Sequence, residues 1–190
     1  MYKVLNFRVR GVSPLLMHNG HLADPLNPFA KAIKAISSKR KKTDADYAEM
    51  AKTEFLGGLY TDEHGQPVIP GEVLEATIVG GAKTSKKGKV AKSAIIVDGN
   101  FPLDYDGPKS PDVLFDDANH RHVVGVRVGQ ARVMRTRPKF NRWGLRFQVS
   151  YLPDVLDAAE VADFVAIAGR ICGLGDGRPR FGRFDVVEAA

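Results

Sequence analysis

Residues 143–151 alternate without a break. Trp143, Leu145, Phe147, Val149 and Tyr151 point one way, while Arg142, Gly144, Arg146, Gln148 and Ser150 point the other. Successive side chains leave a β-strand on opposite sides, so this pattern demands a strand with one buried face and one open face. Trp143 shares the parity of Leu145 and Phe147 and is read as core. Residues 3–10 repeat the pattern, with Leu5, Phe7 and Val9 on one face and Asn6, Arg8 and Arg10 on the other, until Gly11 and Pro14 end the strand.

The other elements follow from capping and spacing. Asp157 is an N-cap with Glu160 at the capping-box position. Val161, Phe164, Val165, Ala168, Ile171 and Cys172 then keep helical spacing up to the stop at Gly173, which predicts a helix over 157–172. Pro70 opens a second helix over about 71–82, ended by Gly80 and Gly81. Residues 122–137 read as one long strand whose apolar parity shifts at Gly129-Gln130, the mark of a β-bulge. A last strand covers 181–187. In order these elements give βαββαβ, an α+β, ferredoxin-like (RRM-like) core in a single domain over 1–190. Segments 20–69 and 84–120 become its two insertions. The first carries a helix over 44–56 and a hairpin turning at 62–65; the second carries a lysine-rich loop, a short strand over 94–97 and an acidic loop over 98–119. This topology leaves one sheet face free, as RNA-recognition domains do.

Composition narrows the function. One cysteine among 190 residues excludes a disulfide framework and any CxxC zinc site, leaving Cys172 as a small buried residue. No apolar run approaches the roughly 20 residues that span a bilayer. The first residues alternate like a strand rather than forming a signal peptide. A soluble, intracellular, cytoplasmic protein with no membrane partner is expected. The net charge is +6 and unevenly spread. Six basic residues fall in 31–42, five in 83–92, eight in 121–146 and four in 170–183, whereas 98–117 carries six aspartates. A basic side and an acidic side follow, and with them a polyanionic partner.

Several clusters could carry chemistry. The loop 173–182 joins Gly173, Gly175, Gly177 and Gly182 to Arg178, Arg180 and, one residue on, Arg183. Glycines let backbone N–H groups approach a phosphate, and arginines add bidentate contacts. A helix stop and a turn require only Gly173 and Gly175. The loop matches neither a Walker A nor a dinucleotide fingerprint, so no cofactor is expected. In the basic stretch 135–143 cations alternate with aromatics, and Phe140, placed in a turn, is the stacking candidate for a base. His120 and His122 lack a third ligand, and Asp104, Asp106, Asp112, Asp116 and Asp117 lack calcium-loop spacing, so no metal site is expected.

Gly173-Leu-Gly-Asp-Gly and Phe181-Gly182-Arg183-Phe184, placed behind the second helix of such a core, resemble the RAMP superfamily. That superfamily comprises the crRNA-binding backbone proteins of CRISPR effector complexes and related crRNA-processing endoribonucleases. Ile69-Pro70-Gly71-Glu72-Val73-Leu74 is similar to a helix opening in backbone-type members. Gly11-Val12-Ser13-Pro14-Leu15-Leu16 is similar to stretches in short phage proteins. The resemblance covers about half the chain, which is shorter than a backbone subunit and fits a phage-encoded or stand-alone relative equally well. It implies that His18 and His21 occupy the loop where processing nucleases often place a general base.

Three readings stay open. The first is a non-catalytic protein binding single-stranded RNA or DNA, with RNA favoured. Arg127, Arg132, Arg135, Arg137, Lys139, Phe140, Arg142 and Arg146 would line its groove. Lys83, Lys86, Lys87, Lys89 and Lys92 would clamp the backbone, and Gly175, Gly177, Arg178, Arg180 and Arg183 would cradle phosphates. The second is a metal-independent endoribonuclease using His18. The third is a self-assembling protein whose basic face docks head-to-tail on the acidic loop of the next copy.

Overall fold

Trp143, Leu145, Phe147, Val149 and Tyr151 are each at most 4% exposed, while Arg146 and Gln148 face solvent. The computed structural model describes the backbone of residues 1–190 and every side chain except that of Val128. In chain order its elements are β1 (Lys3–Gly11), β2 (Leu15–Leu16), α1 (Pro28–Ser37), α2 (Asp44–Gly58), β3 (Val68–Pro70), α3 (Gly71–Ala82), α4 (Gly88–Ala94), β4 (Ile95–Ile96) and β5 (Asn100–Tyr105). There follow α5 (Pro111–Asp116), β6 (Arg121–Val128), β7 (Ala131–Phe140), β8 (Trp143–Tyr151), α6 (Ala158–Ile167) and β9 (Phe184–Ala189).

The main sheet runs β3-β5-β8-β1-β9, with antiparallel pairing throughout and β4 also paired to β8. One face is apolar: Phe7, Val9, Phe147 and Val149 share a core with Leu74 and Ile78 of α3 and with Val161, Phe164 and Val165 of α6. The other face is open. Strands β1, β5, β8 and β9 with helices α3 and α6 form the α+β, ferredoxin-like core.

The structure corrects several boundaries. The second core strand is β5, in the segment expected as an acidic loop. Leu103 and Tyr105 are buried there while Asp104 stays out, so a short period-two signal was masked by aspartates. The segment 84–120, read as an insertion, therefore contains a central strand. Residues 122–137 are not one bulged strand. They belong to a hairpin in which β6 and β7 pair from Arg121↔Pro138 to Val128↔Ala131, turning at Gly129-Gln130. A two-residue turn and a bulge shift parity alike, so the sequence does not separate them. Gly81 does not end α3 but lets it cross α6: a Cβ there would overlap the Phe164 carbonyl oxygen. Cys172 is half-buried rather than core.

The hairpin and β2 make a second sheet, β2-β7-β6. The edge of β7 left free by β2 is covered by α2. Glu54, 4% exposed, forms an ion pair with Arg135 and accepts the Thr136 N–H at 3.1 Å. Among the described residues no helix is long and apolar enough to cross a membrane.

Candidate nucleic-acid interface

The glycine-rich loop is stitched to the segment after β1. Asp176 N–H donates to Leu16 O at 2.8 Å, Gly182 N–H to Pro14 O at 2.8 Å, and Arg183 N–H to Ser13 Oγ at 3.0 Å. Gly173, Gly175, Gly177 and Gly182 all have positive φ, between 68° and 77°. A Cβ on Gly175 would overlap the Leu16 carbonyl oxygen, and one on Gly182 the Leu174 carbonyl oxygen. All four glycines thus answer a demand of the backbone. The expectation that two of them exceed what a turn needs is corrected, because the loop packs on β2 rather than standing free.

This stitching places the loop against the hairpin. Asp176 Oδ2 accepts from Arg137 Nε at 3.1 Å, and the Phe181 ring meets His122 edge-to-face at 5.2 Å. His122 is opposite Arg137 in the β6–β7 register. Burial lowers the pKa of His122, as do Lys139, Arg180 and Arg137, with Asp176 opposing. His18, just after β2, shares Arg137 and Asp176 with it. Burial lowers its pKa first and Arg137 next, against Asp176 and Glu54, with Arg135 adding a smaller downward push. Tyr60 Oη donates to the His18 carbonyl at 3.3 Å. Three segments distant in sequence thus converge on one cationic junction. Asp176, which sequence reasoning did not single out, is its counter-charge. Its one signal was its place inside Gly173-Leu-Gly-Asp-Gly.

A second cationic region adjoins. Lys83, Lys86, Lys89 and Lys92 line a depression of about 580 Å³ floored by Ala76 and Val79, with Glu72 and Glu75 at its rim. Lys87 is turned away into an ion pair with Glu160. Cys172 lines a depression with Gly175, Asp176, Gly177 and Arg178 of the loop, and its Sγ lies against Gly80 of α3; burial raises the pKa of its thiol, while Arg178 and Lys83 lower it.

Other expected members lie elsewhere. Arg127 and Arg132 face each other beside the hairpin turn, and alternation along β7 puts them on the face opposite Arg135, Arg137 and Lys139. Arg146 is on the open face of the main sheet, and Arg142 pairs loosely with Asp106 at 3.5 Å. The single groove expected from these residues is therefore several surfaces. Phe140 is 0% exposed and packs edge-to-face on Tyr105 at 4.8 Å, because β2 pairs over the end of β7 and covers it. It cannot stack on a base. His21 is held by Gly57 O at 2.9 Å, and buried His120 by Lys139 O at 3.0 Å. Among the described residues no group of three or more His, Cys, Asp or Glu could hold a metal.

No family model matches the sequence, and no curated protein matches it. The fold is similar to a chain in the cryo-EM structure of the Type III-B Cmr-beta bound to cognate target RNA, with a TM-score of 0.54 and 11% identity. The likeness covers 100% of this chain, which spans 60% of that one.

Proposed function

We propose that this chain binds single-stranded nucleic acid, RNA in preference to DNA, at the junction of the glycine-rich loop and the β6–β7 hairpin. The observation that carries the reading is the setting of His122, where Lys139, Arg180 and Arg137 converge against one carboxylate, Asp176. Cations gathered with too few counter-charges leave a potential that a phosphodiester chain can neutralise. The strand would continue past Arg178 to Lys83, Lys86, Lys89 and Lys92. The RAMP-like motifs, and the fold shared with a chain from an RNA-bound assembly, favour RNA.

The test is a fluorescence-anisotropy titration with a single-stranded oligoribonucleotide over a salt series. Each phosphate neutralised on a single strand contributes about −0.7 to the slope of log K against log salt. Lys139, Arg178, Arg180 and the four lysines together give about −5. A slope shallower than about −2 removes the reading.

One observation favours cleavage as a second reading. The lowered pKa of His18 keeps its imidazole in the neutral form that a general base needs. A denaturing gel decides. Cleavage that His18→Ala abolishes while binding persists would make the protein a nuclease; intact RNA leaves it a binder.

A further inference from the structure

Arg8 of β1 and Arg146 of β8 are direct cross-strand partners, both exposed on the open face of the main sheet. Arg10 follows on the same face, opposite Gly144. Like charges directly opposite each other destabilise an antiparallel pair. Carboxylates are in register to relieve them: Glu188 lies opposite Arg8, and Asp185 opposite Arg10. Yet among the described residues none of the three arginines has a carboxylate within 4.0 Å. The next row is an exposed amide pair, Asn6 opposite Gln148. Two adjoining depressions, of about 410 and 710 Å³, share Arg8 and Arg146 in their walls.

We infer that this open face is a second contact surface for a single-stranded RNA, with Arg8, Arg10 and Arg146 gripping phosphates and Asn6 and Gln148 facing base edges. Guanidinium groups bind phosphate bidentately, and side-chain amides match the hydrogen-bonding edge of adenine. The width of the surface selects the ligand. Asp104 on β5 and Asp185 and Glu188 on β9 bound the arginine rows, three strand spacings or about 14 Å apart. Such a corridor takes one phosphate backbone and repels a second. None of the residues in these cross-strand rows is aromatic, so grip rather than stacking holds the strand. The inference rests on the chain binding such strands and extends it to a surface that shares no residue with the loop junction.

The experiment titrates an oligoribonucleotide of about six nucleotides, near the lower end of known single-strand site sizes, into wild type and two exposed-residue variants. These are Arg8→Gln/Arg146→Gln and Arg178→Gln/Arg180→Gln. Wild type should take two oligonucleotides and the first variant one. Affinity of that variant for a longer strand should fall about tenfold or more. Its melting temperature without ligand should rise by about 1–3 °C, because the opposed charges are gone. Unchanged stoichiometry and affinity overturn the inference and leave the loop junction standing. Binding unaffected by the loop variant but lost in Arg8→Gln/Arg146→Gln keeps the open face and removes the junction. An acidic peptide titrated in parallel that binds wild type but not Arg8→Gln/Arg146→Gln, with oligonucleotide binding intact, assigns the face to a protein and overturns the inference.

Discussion

Gly175→Ala separates a loop built for the fold from one kept open for a ligand. Gly175 has φ +77°, and its Cβ would overlap the Leu16 carbonyl oxygen and come within 2.9 Å of Leu15 Cδ1. A side chain in the left-handed region costs about 1 kcal/mol. The Leu16 oxygen must then move, weakening the 2.8 Å bond it accepts from Asp176 N–H, for about 1 kcal/mol more. Crowding against Leu15 and Leu16, 0% and 2% exposed, adds about 1–3 kcal/mol. The sum is about 3–5 kcal/mol. A domain of this size loses about 2–4 °C per kcal/mol, so the melting temperature should fall by about 6–20 °C. Gly129→Ala is the control, since Gly129 has φ +60° with nothing near its Cβ and should lose only the first term, about 2–4 °C. Melting curves by circular dichroism compare the two directly. Equal losses, or wild-type melting of Gly175→Ala, would refute the packing argument and return the glycine to ligand approach.

Glu54→Ala should destabilise by about 2–3 kcal/mol in chemical denaturation, since it strands the Thr136 N–H and leaves a partly exposed Arg135 without its partner; a loss below about 0.5 kcal/mol would mean that α2 does not hold the hairpin. Asp176→Asn removes the carboxylate opposing the cations at His122, so affinity for single-stranded RNA should rise several-fold in anisotropy titrations; weaker binding would show that Asp176 instead aims Arg137 at the ligand. His18 and His122 are both held below the ordinary value of 6.5, so the unfolded chain binds protons that the folded one refuses. Their stabilisation is complete above about pH 6.5 and is lost as pH falls through the folded values, while RNA affinity rises as the same histidines charge. Melting and binding measured from about pH 7.5 to about 5.5 should therefore move in opposite directions, and parallel trends would place both histidines outside the site.

The strands with unbroken alternation were legible, because period two is a local property that burial enforces: β1 and β8 sit where Phe7, Val9, Leu145 and Phe147 put them. The capping box of Asp157 and Glu160 formed as read, with Glu160 N–H donating to Asp157 Oδ1 at 2.8 Å. What failed was whatever depended on a distant partner. β5 is a strand because β8 offers it an edge, and only Leu103 and Tyr105 betray it locally. Phe140 was assigned to a turn because Pro138 and Asn141 suggest one; pairing with Leu15, far earlier in the chain, made it core.

Charge was legible as a sum and illegible as a surface. Of the cations counted toward one groove, Arg135 is tied to Glu54, Arg137 to Asp176 and Lys87 to Glu160, each partner at least 39 residues away in sequence. Those three hold the fold's parts together: hairpin to α2, hairpin to loop, and the residue before α4 to α6. Basic residues without such partners are what a polyanion can reach, and the fold places several of them on the loop junction, the lysine corner and the open sheet face. The net charge of +6 therefore describes none of these surfaces by itself. The same logic makes the glycines of the loop indispensable to binding without their touching a ligand. By letting residues 173–183 lie on 12–16, they bring Phe181 and Arg180 up to His122. A phosphate site assembled this way depends on backbone fit first and on side-chain charge second. Loop variants that melt early should therefore lose affinity together with stability, whereas Arg178→Gln/Arg180→Gln should lose affinity alone.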